Sequence, residues 1–410
     1  MAAEAYTLTV RPDHPALLDL DWSQSIVEWD DGRFVDLPHG ISRHEVRFLA
    51  LEGATIALKE LPLRAAQRDY GALRRLEELG GSAVHPLGLV VRGEVDPGSE
   101  RAAVLLTRYA DYSFSYRELL AGPGFGARRE QLLDAFASLL VELHLLGCFW
   151  GDCSLSNVLY RYDAGAIQAL LVDAETAEPH PQLSDGQRRY DLAIMVENVS
   201  GEMADIAASQ GLDVDEADFR LGEDIERRYE GLWREVAFQD TVPANQHYLI
   251  IERIRRLNEL GFEVEEVEVD RRPEGNSVRL RLKIADRNFH RNRLRELTGV
   301  DASENQARMI LADLRHYESM QPVVRTDSGK ALATIRWRVD EFEPWLRRLA
   351  LHIPPGADPV QAYCDLLHHR YMLSLAASRD VGTEAAFRAW LENGKPGYPL
   401  PQPITTPAES

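Results

Sequence analysis

Cysteine is scarce in this sequence, and its scarcity excludes several classes of protein. The 410-residue chain has three cysteines, Cys148, Cys153 and Cys364, and none of them forms a Cys-x-x-Cys pair. A disulfide framework and a zinc ribbon are therefore excluded. The sequence also lacks an apolar run near the ~20 residues that span a bilayer, and its N-terminus lacks the basic-then-apolar pattern of a signal peptide. These absences predict a soluble, cytoplasmic protein with no membrane span.

Positive charge is also in short supply. Lys and Arg total 46 against 66 Asp and Glu, which gives a formal net charge of −20. A surface this acidic repels the phosphates of nucleic acids and of anionic membranes, so nucleic acid is not expected as a partner. Apolar residues, by contrast, make up 45% of the chain, which is enough to bury a sizeable core. At ~150 residues per domain, the length predicts two or three compact units.

The first part of the chain is rich in short apolar runs that turn residues separate. Residues 1–108 are therefore predicted to form a β-rich segment, interrupted by one helix near residues 64–79. From residue 109 the apolar spacing changes to a helical period, and a long helix is predicted over 131–146. After this helix, two β-type runs at 158–162 and 167–172 flank a turn, which predicts a hairpin.

An acidic, polar stretch over residues 200–230 predicts a boundary between domains. We place it at residue 215, which ends a helical segment of residues 109–215. Residues 216–393 are then predicted to be a separate α+β domain, mostly helical, with two strands near 263–270 and 277–284. The remaining residues, 394–410, form a Pro-rich tail.

The pattern that carries chemistry lies between the long helix and the hairpin. Asp152 and Asn157 are five residues apart on the predicted loop, and Asp173 follows the second strand of the hairpin. Protein kinases use this arrangement for phosphoryl transfer, since two carboxylates and an amide oxygen must converge on magnesium and on the acceptor hydroxyl. Each of these residues alone is more simply explained as a turn cap, but the three together favour kinase chemistry.

Two further positions fit the same chemistry. Lys59 ends a strand in the β-rich segment, and the next helix offers acids, among them Asp69, with which the lysine could pair. Asp191 stands at the start of a helix 18 residues after Asp173, where a carboxylate can brace the loop that carries Asp152. A solvated strand-end lysine and an ordinary helix N-terminal acid are the simpler interpretations of the two positions taken singly.

The sequence around these residues resembles the lipopolysaccharide-kinase (Kdo-kinase-like) family, a branch of the protein-kinase-like superfamily. The resemblance covers about residues 20–200. The segments that carry it are Lys59-Glu60-Leu61-Pro62, Arg68-Asp69-Tyr70, Gly151-Asp152-Cys153-Ser154-Leu155-Ser156-Asn157 and Leu171-Val172-Asp173-Ala174-Glu175-Thr176. Beyond them, the chain is similar to a bacterial domain of unknown function that is appended to such proteins.

The resemblance implies a fold, two cofactors and a reaction. The implied fold is α+β: a bilobal protein-kinase-like fold, with a β-rich N-lobe over residues 1–108 and a helical C-lobe over 109–215, followed by a mixed, mostly helical α+β domain. The implied cofactors are ATP and Mg²⁺, and the implied reaction is transfer of the γ-phosphoryl group to a hydroxyl.

The family's residue roles carry over to matching positions. Asp152 is the implied catalytic base, Lys59 holds the phosphates and Asp69 pairs with Lys59. Asn157 and Asp173 are the implied metal ligands. Residues 38–44 are the candidate nucleotide loop, in which Gly40 and Ser42 are candidate phosphate contacts.

Four positions depart from the family pattern. Trp150 stands where the family has His, so packing must replace the brace that this histidine provides. Asp69 stands where the family has Glu and is one methylene shorter. The triplet that begins at Asp173 continues with Ala174 and Glu175, and the nucleotide loop has one glycine instead of three. These departures leave open an alternative, a nucleotide-binding pseudokinase that acts as a regulator or scaffold.

The acceptor is expected to be a small-molecule or sugar-like hydroxyl. Only 18 residues separate Asp173 from Asp191, too few for a long activation segment and a peptide-docking platform. A protein Ser/Thr kinase is therefore the less favoured alternative. Separately, Arg287, Arg291 and Arg295 recur every four residues and predict a basic stripe on one helix face. Such a stripe can bind an anionic ligand, although a solvated face that pairs with neighbouring acids explains it more simply.

Overall fold

The structure is a computed structural model, and the residues that it describes fall into two compact units. It describes residues 5–12, 14–37, 43–51, 54–110, 113–117, 125–209, 211, 215–237, 239–243, 247–271, 277–284, 286–321, 327–354 and 357–397. The first unit contains Met1–Arg161, Ile167–Leu257 and Val264–Arg287, and the second contains Tyr162–Ala166, Asn258–Glu263 and Asn288–Ser410. The nucleotide-loop candidates Gly40 and Ser42 lie outside the described residues.

A six-stranded antiparallel sheet forms the N-terminal part of the first unit, in the order β1-β5-β6-β4-β3-β2. Side chains alternate across the central strand β4, so that Ile56 and Leu58 are fully buried in a core with Trp22 and Leu106, while Lys59 faces the other side. Helix α1, Leu63–Glu78, follows β4. The strands are β1 Tyr6–Val10, β2 Phe34–Val35, β3 Val46–Leu51, β4 Ala54–Leu61, β5 Pro86–Arg92 and β6 Ala103–Arg108.

Helices dominate the rest of this unit, around the predicted hairpin. The hairpin turns at Ala164 and Gly165, which both have positive φ (49° and 84°), as a two-residue turn between twisted strands requires. The helices are α2 Phe125–Leu145, α3 Asp185–Ser209, α4 Glu216–Phe219, α5 Leu221–Val236 and α6 His247–Glu259. The strands are β7 Ser113–Phe114, β8 Cys148–Phe149, β9 Val158–Asp163, β10 Ala166–Leu171, β11 Glu178–Pro179, β12 Gln239–Pro243, β13 Val264–Arg271 and β14 Ser277–Ile284.

The predicted fold class, a β-rich N-lobe and a helical C-lobe followed by a mostly helical α+β part, is confirmed. The compact units nevertheless divide the chain later than residue 215. Leu221, Ile225 and Tyr229 repeat every four residues along α5 and are all completely buried. Because α5 packs on α2 and α3, it belongs to the first unit together with the sheet β12-β14-β13. The acidic stretch before α5 marks a connection inside this unit.

One buried carboxyl group links the two parts of the first unit. Glu142 of α2 accepts hydrogen bonds from the Ser82 backbone nitrogen at 2.6 Å and from the Ser82 hydroxyl at 3.0 Å. Burial raises the pKa of Glu142 to about 7, an effect that the nearby charge of Arg287 opposes. This carboxyl therefore joins the end of the α1 region to the core helix of the C-lobe and is protonated at mildly acidic pH.

We expect the stability of the first unit to depend on the ionisation of Glu142. In the unfolded chain a Glu loses its proton near pH 4.5, but the folded protein keeps it up to about pH 7. The unfolded state thus binds fewer protons in this window, so folding stability falls as the pH rises through it. Glu142→Gln should remove this loss. The free energy of unfolding of the variant, relative to that of wild type, should therefore rise by on the order of 3 kcal/mol between pH 4 and pH 8. Urea unfolding measures it, with the exposed Glu130→Gln of the same helix as control; parallel pH profiles for all three proteins would contradict the assignment.

The second unit is helical and has its own core. Trp337 and Phe342 stack 4.8 Å apart and pack with Tyr363, Phe387 and Trp390. The helices are α7 Phe289–Thr298, α8 Glu304–Met320, α9 Asp327–Arg336, α10 Glu343–Ala350, α11 Pro359–Ala377 and α12 Thr383–Glu392, with a π-helical segment over Trp337–Phe342. The start of the predicted tail lies on this core, since the Trp390 indole donates to the Pro396 carbonyl at 2.9 Å. No helix in the described ranges has the length and apolarity that a bilayer crossing needs.

The predicted basic stripe is wrong as a helix face. Helix α7 begins at Phe289, so Arg287 precedes it, and the helical spacing applies only to Arg291 and Arg295. Arg291 forms a two-pronged ion pair with Asp301, at 3.0 and 3.2 Å. The simpler interpretation, a helix surface paired with neighbouring acids, therefore accounts for Arg291, and nothing in the structure supports an anionic ligand here.

Candidate active site

The site begins with the lysine that the strand pattern indicated. Lys59 lies on β4, opposite Leu105 of β6, and its ammonium group lies 2.6 Å from the Asp173 carboxylate. The same nitrogen lies 3.5 Å from the carboxylate of Asp69 on α1. The shorter Asp side chain thus reaches ion-pair distance at the position where the family has Glu. One cation therefore lies between two carboxylates.

Asp69 is completely buried and also anchors the segment that follows the hairpin. Its Oδ1 accepts a hydrogen bond from the backbone nitrogen of Ala174 at 3.0 Å. Burial and the neighbouring Asp173 raise the pKa of Asp69 to about 7, while the charge of Lys59 lowers it. Such a shift is typical of a functional cleft that concentrates charge in a dry environment.

The predicted base and metal ligand contact each other directly. The Asn157 amide nitrogen donates to Asp152 twice, to its carbonyl and to its Oδ2, both at 3.1 Å. Because the nitrogen is engaged in this way, the amide oxygen of Asn157 is left as the group that can bind a cation. Asn198 of α3 donates to the other carboxylate oxygen of Asp152 at 3.0 Å. Both oxygens of the candidate base are therefore held by neutral amides.

Asp191 braces this loop as the sequence predicted. It is fully buried and accepts hydrogen bonds from the backbone nitrogens of Trp150 at 2.7 Å and Gly151 at 2.8 Å. His144 of α2 lies 3.1 Å from the same carboxylate and 2.7 Å from the hydroxyl of Tyr229. Burial lowers the pKa of His144, although its hydrogen bond to Asp191 raises it. The brace thus extends from α5 through α2 to the catalytic loop.

Trp150 replaces the family's histidine by packing. Its side chain is fully buried and stacks on Phe136 of α2, with ring centroids 5.8 Å apart and ring planes 29° apart. Its carbonyl accepts a hydrogen bond from the Thr176 hydroxyl at 2.8 Å. The loop is therefore tied to the segment after Asp173 through the backbone of Trp150.

Glu175, in the third position of the triplet, contacts the segment that precedes β3. It forms an ion pair with Arg43, and its second oxygen lies 3.4 Å from His44. His44 lies 2.6 Å from Glu100 on its other side. The Glu175 side chain is 9% exposed, so this position contributes a nearly buried carboxylate to the cleft.

The donor set fits magnesium and nucleotide phosphates. Asp173 and the amide oxygen of Asn157 are hard oxygen ligands, and the hydrogen bond from the Val172 nitrogen to the Asn157 carbonyl, at 3.0 Å, holds their two segments side by side. Magnesium commonly takes only one or two protein ligands and completes its shell with phosphate and water oxygens. Lys59 is a cation that could bind phosphates in this cleft.

Four residues of the site were missed by sequence reasoning: Glu142, His144, Asn198 and Glu202. Besides its neighbours in the helix, each contacts at least one partner that lies 46 or more residues away in the chain. The spacing of Asn198 and Glu202 from Asp191 along α3 was the one available signal.

Parts of the chain are similar to known protein families and solved structures. Residues 55–211 match the model of the lipopolysaccharide kinase (Kdo/WaaP) family, and residues 231–394 match a domain of unknown function, DUF4032. A solved structure of WaaP in complex with acyl carrier protein matches at 16% identity and a TM-score of 0.38, covering 62% of this chain and 98% of that one. The BubR1 kinase domain matches at 14% identity and a TM-score of 0.29, covering 37% and 49%.

The search of curated proteins found no match. The two family matches therefore divide the chain into a segment at residues 55–211 that is similar to the lipopolysaccharide kinase (Kdo/WaaP) family and a segment at residues 231–394 that is similar to DUF4032.

Proposed function

We propose that this protein is an ATP- and Mg²⁺-dependent phosphotransferase that moves the γ-phosphoryl group to a hydroxyl of a small-molecule or sugar-like acceptor. The family match implies a kinase-like phosphotransferase. The observation that carries the proposal is the lysine between two carboxylates, with Lys59 at 2.6 Å from Asp173 and 3.5 Å from Asp69. The cytoplasmic location stays a prediction.

Each side chain has a role that its surroundings allow. Lys59 binds the α- and β-phosphates, and Asp69 holds the lysine in place from the buried side. Asp173 and Asn157 would hold Mg²⁺, which neutralises the charge that develops on the phosphates. Asp152 orients the acceptor hydroxyl and accepts its proton. Catalysis then consists mostly of positioning and electrostatic stabilisation.

The chain between Asp173 and α3 supports a small acceptor. Helix α3 begins at Asp185, and the two-residue strand β11, which pairs with β8, occupies part of the interval. The remaining residues are too few for a platform that would bind an extended peptide. A hydroxyl on a compact molecule needs no such platform.

We expect nucleotide binding to require both magnesium and Asp173. In wild type, ATP with Mg²⁺ should raise the unfolding temperature, because a ligand at 100 times its Kd stabilises by about 2.7 kcal/mol. EDTA or Asp173→Ala should abolish this rise, since the phosphates then lose their metal bridge. The exposed carboxylate of Glu178 on β11 gives the matched control, Glu178→Ala. A rise that persists in both EDTA and Asp173→Ala would contradict the metal assignment.

A nucleotide-binding pseudokinase is the second candidate function. The Arg43–Glu175 ion pair favours it, because this contact ties the nucleotide-loop region to the segment that follows the candidate metal ligand Asp173. Such a link suits a protein in which nucleotide binding regulates conformation. Turnover decides between the two candidates: the pseudokinase should show the Mg²⁺-dependent rise in unfolding temperature but no ATP hydrolysis or transfer above the level of an Asp152 variant.

A further inference from the structure

Three side chains of α3 hold the catalytic loop. Asp191, Asn198 and Glu202 are seven and four residues apart, which places them within one narrow face of the helix. Asp191 accepts from the nitrogens of Trp150 and Gly151 at one end of the loop. Glu202 accepts from the nitrogens of Leu155 and Ser156 at the other end, both at 2.8 Å.

Asn198 lies between these two anchors and contacts the candidate base itself. Its amide nitrogen donates to the Asp152 Oδ1 at 3.0 Å and to the Cys153 carbonyl at 3.2 Å. With the Asn157 amide on Oδ2, this contact fixes the plane of the Asp152 carboxylate.

We propose that Asn198 is a positioning residue for Asp152, between the two points at which Asp191 and Glu202 hold the catalytic loop. The inference rests on the proposed function in so far as Asp152 acts as a base. Asp191 and Glu202 fix the backbone at both ends of the loop, and Asn198 orients the side chain that they enclose. Helix α3 therefore positions the candidate base Asp152 through Asn198.

The test compares Asn198→Leu and Asn198→Asp with wild type in ATP hydrolysis, where water replaces the unidentified acceptor. Asn198→Leu keeps the side-chain volume and removes the donor, and Asn198→Asp keeps the shape and adds a negative charge. We expect kcat to fall on the order of 10- to 100-fold, as for a displacement of about 1 Å of the catalytic group. The rise in unfolding temperature with MgATP should stay unchanged, because Asn198 contacts neither Lys59 nor Asp173.

The split between kcat and KM separates positioning from a structural role. Both variants should lower kcat and leave the KM for ATP unchanged, because Asn198 contacts the candidate base and contacts neither Lys59 nor Asp173. Glu197→Gln, an exposed position next to Asn198 on α3, is the control and should match wild type. If Asn198→Leu fails to fold, Asn198→Asp alone carries the measurement.

Two results would overturn the proposal. One is a kcat in both Asn198 variants equal to that of Glu197→Gln. The other is a fall in kcat together with a higher KM for ATP and a smaller MgATP-dependent rise in unfolding temperature, which would indicate general disorder. A wild type that does not hydrolyse ATP would instead overturn the proposed function. Amide hydrogen exchange of residues 151–156 would then decide: faster exchange in Asn198→Leu supports the positioning of the loop, and unchanged exchange excludes it.

Discussion

Asp152→Asn should lower turnover at least about 100-fold while leaving the affinity for MgATP nearly unchanged, because a positioned general base contributes about 10²- to 10⁴-fold. The substituted amide keeps the size of the side chain but cannot accept the proton of the acceptor hydroxyl. Its contacts are with Asn157 of the loop and Asn198 of α3, and neither involves Lys59. Single-turnover transfer from ATP, with hydrolysis as the default readout, measures the change.

The same substitution decides between the enzyme and the pseudokinase. Glu202→Gln is the comparison variant. Glu202 contacts the same loop but not Asp152, and the substituted amide retains one acceptor oxygen. The enzyme should lose far more activity through Asp152→Asn than through Glu202→Gln. Equally slow hydrolysis in wild type and in Asp152→Asn, with normal nucleotide binding, would favour the pseudokinase.

The sequence predicted those parts of the site whose spacing is local. The interval of five residues from Asp152 to Asn157 and the hairpin before Asp173 are set by a loop and a turn, which leave a pattern in consecutive residues. Lys59 and Asp191 were recognised because the pattern put one at the end of a strand and the other at the start of a helix. In the structure β4 continues to Leu61 and α3 begins at Asp185, so both residues lie inside their elements, and the catalytic roles of all five stay predictions.

The contacts that depend on tertiary packing were not predictable in this way. Apart from their spacing from Asp191, nothing in the neighbouring sequence distinguishes Asn198 or Glu202 from any polar residue of a half-exposed helix. Their partners on the catalytic loop lie 45 to 47 residues away. The stripe of Leu221, Ile225 and Tyr229 similarly shows that α5 is amphipathic, but not that it packs on α2 and α3. Charge and polarity over residues 200–230 predicted a domain boundary at residue 215. This stretch lies inside the first compact unit, and the boundary stays a prediction.

Asp191→Ala should destabilise the first unit by about 3–5 kcal/mol, because it leaves several buried donors without an acceptor. The backbone nitrogens of Trp150 and Gly151 both donate to this carboxylate, and His144 lies 3.1 Å from it. Water cannot easily replace the lost acceptor, since Trp150 and His144 are themselves buried. Urea unfolding, followed by the fluorescence of the tryptophans, measures the loss.

Glu197→Gln, at an exposed position of the same helix, supplies the control for this substitution and should leave stability within about 0.5 kcal/mol of wild type. The stability of Asp191→Asn should fall between those of wild type and Asp191→Ala. Its amide keeps one acceptor oxygen, but its NH2 group is a donor that faces the donors of the loop. The order wild type, Asp191→Asn, Asp191→Ala in falling stability is therefore the signature of a carboxylate that acts as an acceptor. If Asp191→Ala were as stable as Glu197→Gln, the loop would be held by the packing of Trp150 on Phe136, and the carboxylate would have no part in bracing it.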